Sequence, residues 1–186
     1  MLAKTLGQLY RKQGRREYGL IKFLRVFSSK QESVIKIPEL IRDILVSADN
    51  IEKIFPDSGV YGFAPDSAAR EKLLEVLAET GRQLNSLFTI VNDIHEELAS
   101  SKDKEIKEDS RLFETHVGLN KLNSYITFLF EYTRDDDRNI VWLEKRKISS
   151  MMITPISVAE TLKNEVFYKL KNIIFVCATL SVFPKF

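Results

Sequence analysis

The residues best suited to chemistry in this chain are cations near its start. Arg11, Lys12, Arg15, Arg16, Lys22 and Arg25 crowd a short stretch, with Lys4 and Lys30 to either side and Glu17 as the only carboxylate among them. The whole chain carries a formal charge of +2, so the remainder is net acidic. A basic end on an acidic body predicts a surface that meets a polyanion. Lys and Arg neutralise phosphate and release its counterions. Tyr10 and Tyr18 lie among these charges. Rings interleaved with cations are what sequence-independent binding of single strands uses, bases stacking while cations hold the backbone. The competing reading is a solvated helix face.

The other chemistry-bearing residues are isolated. His95 and His116 read as single helix residues rather than metal ligands. Asp135, Asp136 and Asp137 could meet a divalent cation but read as a solvated turn. Glu96 and Glu97 read as solvent-facing carboxylates. No residue is assigned a catalytic or metal-binding role. The single cysteine, Cys177, excludes an internal disulfide framework and fits a reducing compartment. The chain lacks the G-x-x-x-x-G-K-S/T phosphate loop, an Asp-Glu-Ala-His box and the H-E-x-x-H zinc motif.

The elements that must position these groups are mostly helical. Glycine and proline number only 7 and 5. A short basic helix is predicted over residues 3–13, ending near Gly14, and another over 17–28 with Leu20, Ile21, Phe23, Leu24 and Phe27 near one face. Residues 28–33 read as a polar break, and Pro38 as a first-turn residue of the next helix. Residues 56–65 read as a loop, with Asp66 as N-cap of the longest helix, running to about Ser100. Its stripe includes Leu73, Leu77, Gly81, Leu84, Leu87, Val91, Ile94 and Leu98, with Gly81 allowing a close approach or a mild bend. Residues 101–108 read as a solvated turn. A further helix over 110–132 carries Leu112, Phe113, Leu119, Leu122, Ile126, Leu129 and Phe130. The two long helices are expected to pair antiparallel, with Leu84, Leu87, Val91, Leu119, Leu122 and Ile126 inward.

Past the aspartates the character changes. Residues 139–146 and 149–155, rich in Ile, Val, Trp, Met and Thr, read as two strands. Ser157 can cap a helix through Leu170 with Val158, Leu162, Val166 and Leu170 on one face. Residues 173–181 read as a buried strand that opens into a hydroxyl-bearing turn. That strand should stay partly uncovered in this chain, because a central parallel strand is normally covered on both faces. The longest apolar run is too short to span a bilayer, and no signal peptide is read at the start, so a cytoplasmic protein without membrane contact is expected.

Cys177, Ala178, Thr179 and Leu180, preceded by the Trp142 strand, Pro155 to Val158, Leu162 with Phe167 and Tyr168, and the Asn172 to Val176 run, stand in a characteristic order. This order resembles the DinG-type ATP-dependent DNA helicases, relatives of the xeroderma-pigmentosum-group-D helicase. There an Ala-Thr-Leu strand closes the first motor domain, and Cys177 stands where serine is usual. Arg16 to Leu24 looks like a segment early in that family's helical arch insertion.

The resemblance implies a mainly α chain: an arch-like insertion over residues 1–138, then a β-β-α-β end of an incomplete RecA-like motor domain over 139–186. It implies 5′-to-3′ movement on single-stranded DNA by the parent, with ATP and Mg held outside this chain. The expected partners are single-stranded DNA and the remaining motor domains. Cys177, Ala178, Thr179 and Leu180 would couple nucleotide state to DNA grip. This chain alone should not hydrolyse ATP, and any iron–sulphur cysteines would lie before Met1. The alternative is a helical adaptor that binds a protein partner through its long hairpin.

Overall fold

The computed structural model describes residues 2–55, 57–62, 68–134, 138–146, 149–170 and 172. The chain is mainly helical, with small antiparallel sheets. It divides into two units, one of residues 1–135 with 141–153, the other of 136–140 with 154–186.

The first unit is organised by three long helices, α3 (Gln31–Ile54), α4 (Ala68–Ser100) and α6 (Ser110–Thr133). α4 packs on both of the others. The start of α3 lies beside the end of α4, where Ser28 Oγ and Ser29 N donate to Glu97 at 2.8 and 2.7 Å, so these two helices are antiparallel. The end of α4 likewise meets the start of α6, where the rings of His95 and His116 lie 5.5 Å apart. Leu73, Leu77, Leu84, Leu87, Val91, Ile94 and Leu98 of α4 are buried, as are Leu112, Leu119, Leu122 and Leu129 of α6. Ile126 is partly buried against them. The expected antiparallel hairpin therefore forms with its leucines inward, each contributing roughly 1.5–3 kcal/mol of burial.

Three expectations about these helices change. Phe113 and Phe130 stand 69% and 65% exposed, because α6 covers only a narrow stripe against its neighbours. A Cβ on Gly81 would meet nothing within 4 Å, so that glycine marks no close approach; the glycine in contact is Gly118, against Leu9. Pro38 lies inside α3 rather than in its first turn. The helix already begins at Gln31, and an internal proline removes one backbone bond without ending a well-packed helix. Val34 and Ile37 are both fully buried and hold the first two turns down.

Two buried threonines on the long helices are satisfied within their own helix. Thr80 and Thr115 each donate to the carbonyl four residues back, at 2.7 Å. Between α4 and α6 the supposed solvated turn contains a short helix, α5 (Lys104–Lys107), anchored by buried Ile106 and capped by Asp103, which accepts from Glu105 N at 2.9 Å. Asp109 caps α6 by accepting from Arg111 N at 2.8 Å. The Arg111 side chain bonds the same carboxylate and holds it at about 2.

Near the start, α1 (Leu2–Leu9) and α2 (Ile21–Phe27) flank an antiparallel hairpin of β1 (Arg11–Gln13) and β2 (Arg16–Tyr18). The expected helices over 3–13 and 17–28 are thus each shortened, and residues between them form strands. The physical cause is a pair of left-handed glycines. Gly14, at φ +59°, takes the first place of a two-residue turn, and Arg15 has negative φ, the sign pattern of a type II′ hairpin turn. Gly19, at φ +98°, lies so close to α1 that a Cβ would stand 2.6 Å from Gln8 O.

A second small sheet has the order β3 (Gly59–Gly62), β4 (Asn139–Lys145), β5 (Ser149–Pro155). The two expected strands are present. The expected loop over 56–65 instead supplies β3, which pairs antiparallel with β4 and sets Tyr61 opposite buried Leu143. Lys145 Nζ donates to the carbonyls of Glu52 and Phe55 at 3.0 and 2.6 Å, placing a cation at the C-terminal end of α3.

In the second unit, Ile156 N donates to Arg138 O at 2.8 Å. α7 (Ala159–Leu162) runs into a wider turn over Lys163–Phe167, where Tyr168 N reaches back to Lys163 O. Val158, Leu162 and Leu170, expected on one apolar face, are exposed. The expected strand over 173–181, Cys177, Ala178, Thr179, Leu180, Asp66 and the three aspartates lie outside the described residues.

Candidate nucleic-acid interface

The β1–β2 hairpin carries four of the six N-terminal cations and sorts them by strand alternation, while Lys22 and Arg25 stand on α2. Arg11 pairs across to Tyr18 and Gln13 to Arg16, so these four share one face. Lys12 pairs with Glu17 on the other face, and Arg15 stands in the turn between the strands. All six cations are exposed.

Their environments differ. The guanidinium of Arg11 lies 5.3 Å from the centre of the Tyr18 ring, and Lys22 Nζ, arriving from α2, lies 5.8 Å from it. These are cation–π distances. Tyr18 is half-buried between them, so it is not the free stacking platform that interleaved aromatics suggested. Arg25 is neutralised by Glu17 at 2.7 Å. That bond, opposed by partial desolvation and helped by the charge of Arg25 and a bond from Tyr10, holds the Glu17 carboxyl below its ordinary range. Tyr10 donates to Glu17 at 3.4 Å, and burial first, then the Glu17 charge, push its hydroxyl pKa up. Arg15 and Arg16 have no ion pair among the described residues.

The structure thus brings Arg11 and Lys22 to one ring, leaves Lys12, Arg15 and Arg16 open to solvent, and commits Arg25 to a pair with Glu17. Beside Gly19 a groove of about 470 Å³ opens between α1 and α6, lined by Gln8, Arg111, Phe113, Glu114 and Lys121. Arg111 is held there by Asp109 and lies 4.8 Å from the Phe23 ring centre.

His95 and His116, read as isolated, are neighbours across α4 and α6. Their separation of 21 positions carries no local signal; only the register of the antiparallel pair places them together. Burial, then the nearby His116, lowers the His95 pKa, against a smaller opposing pull from Glu96. Among the described residues no group of three or more His, Cys, Asp or Glu side chains converges, and no helix is long and apolar enough to cross a membrane. No family model matches this chain, and no curated protein or solved structure matches it either.

Proposed function

We propose that this chain contacts single-stranded DNA through its basic hairpin, as part of a DinG-type ATP-dependent DNA helicase. The observation that carries the DNA contact is the placing of Lys12, Arg15 and Arg16 in solvent at the turn of β1–β2, with Arg11 and Lys22 beside them. A short hairpin presenting cations on both faces can follow a phosphate backbone without reading bases. The helicase assignment rests on the order of Trp142, Pro155, Leu162 and the Ala178, Thr179, Leu180 strand in the sequence. In that reading the helical body helps enclose the strand, and Thr179 with its neighbours couples nucleotide state to grip. ATP and Mg are bound by the rest of the parent, and the chain alone turns over no ATP.

Affinity for a short single-stranded oligonucleotide, followed by anisotropy across a salt series, tests the contact. Each phosphate neutralised on a single strand contributes a slope of about −0.7 in log K against log salt. Replacing Arg15 and Arg16 with alanine should flatten the slope by roughly one unit or slightly more. An unchanged slope would mean that these cations are only a solvated face. A Walker loop and an Asp-Glu-Ala-His box encoded just upstream of Met1 would support the helicase assignment, and an unrelated upstream frame would remove it.

A protein-adaptor reading has one observation in its favour: Phe113 and Phe130 both stand in solvent on α6. Loss of partner capture on replacing both with serine, at unchanged DNA affinity, would favour it.

A further inference from the structure

We propose that His95 and His116 form a two-imidazole clip for a borderline divalent cation of the zinc, nickel and copper group, bridging α4 and α6. The geometry carries the inference. A tetrahedral metal stands about 2.0–2.1 Å from each imidazole nitrogen, hence roughly 3.2 Å from each ring centre, which sets two ligating rings roughly 5.2 Å apart. The observed separation is 5.5 Å, with the ring planes inclined at 35°.

The ring nitrogens are also available. His95 is half-buried, yet no hydrogen bond holds its ring among the described residues. A ligating imidazole must be neutral. His116 Nε2 has one same-helix partner, Asn120 Nδ2 at 3.1 Å. That amide is exposed and can rotate aside, or turn its oxygen toward the metal. Asn92, one turn before His95's neighbour Glu96, bonds that carboxylate at 2.9 Å. Two protein ligands leave the remaining positions to water, which makes the clip open and exchangeable rather than a closed structural site. Imidazole donors suit zinc, copper and nickel and exclude magnesium and calcium, which need oxygen cages.

A cation bound only by the folded hairpin raises its apparent stability with concentration. The test is thermal unfolding of the full chain with zinc chloride, with EDTA reversal, at pH 7.5 and at pH 5.5. The expected result is a zinc-dependent rise in Tm at pH 7.5, reversed by EDTA and lost at pH 5.5. His116→Gln should weaken the apparent zinc affinity at least tenfold; this residue is exposed, so folding should survive the change. Histidine ring signals give a second readout, since the chain has only 2 histidines. Both should move together with one equivalent of zinc. Unmoved ring signals at millimolar zinc would show that the rings merely pack. A Tm rise that persists in His116→Gln would place the cation elsewhere, and either result overturns the clip. Neither readout depends on DNA, so it stands apart from the proposed function.

Discussion

In the α4–α6 hairpin, leucines at three- and four-residue spacing bury against one another along two long helices. In the β1–β2 corner the strands are three residues each, their side chains are exposed or half-buried, and the turns depend on Gly14 and Gly19. The helical pair draws its stability from area removed from water. The corner draws its shape from backbone conformation and is carried on buried neighbours: Leu6 and Leu9 before it, Leu20, Ile21, Phe23 and Leu24 after it. A region can therefore be rigidly placed without contributing a core, which leaves its side chains free for charge. The core region is the reverse, where even the buried hydroxyls of Thr80 and Thr115 are turned back onto their own helix backbone.

This contrast can be broken most directly at the core. Leu84→Ala and Leu122→Ala each remove a fully buried side chain. Each should lower unfolding free energy by about 2–5 kcal/mol in denaturant titration, the spread reflecting how far each cavity collapses. A loss near zero would mean the hairpin is not the centre of stability.

The corner should answer to backbone changes instead. Gly19→Ala adds a Cβ 2.6 Å from Gln8 O at φ +98°, so α1 and the hairpin must move apart. The expected cost is roughly 1–3 kcal/mol. Gly14→Ala, with open space around its Cβ, should cost less, because only the left-handed backbone is penalised. Equal losses at the two glycines would remove the distinction between close packing and turn geometry.

One core position should respond in the opposite direction. The Tyr132 hydroxyl is buried with no hydrogen-bond partner among the described residues, and burial raises its pKa. Tyr132→Phe keeps the ring and removes the orphaned group, so stability should rise by about 1 kcal/mol. A loss of stability would reveal a partner for that oxygen.

The smallest effect expected is on pH dependence. His95 titrates below its ordinary 6.5 in the folded chain because of burial and His116. Between the folded and unfolded pKa values the unfolded chain binds more protons, so stability rises with pH there. The contribution of neutral His95 is present above about 6.5 and is lost as pH falls through the folded pKa. With metal removed, His116→Gln should shrink this acid loss without abolishing it, because the burial of His95 remains. Denaturation midpoints at pH 7.5 and 5.5 measure it.

Much of the helical body could be read directly from residue spacing. The start of α6 near Ser110 and the strands over 139–146 and 149–155 were also visible, one from its polar boundary and the others from β-branched and aromatic composition. The β1–β2 strands were not, because Arg11 to Gln13 and Arg16 to Tyr18 show no apolar alternation. Their one local signal is glycine at positions 14 and 19, and glycine also marks helix ends. β3 escaped for a different reason: Gly59 to Gly62 has two glycines in four residues and becomes a strand only against β4, far along the chain. Phe113 and Phe130 keep helical spacing with the core but face away from it, since spacing gives a face its width and not its cover.

By itself the sequence determined that this chain is mainly helical, that its start is basic, and which leucines would be buried in the α4–α6 hairpin. Those properties follow from composition and from the 3.6-residue repeat, which are local. Only the tertiary structure decided that Arg25 is spent on Glu17 while Arg15 and Arg16 are not, and that Tyr18 sits between two cations. It alone set His95 beside His116. Each of these depends on the register between segments. Register is fixed by turn geometry and by the summed packing of both partners, and no single segment carries it.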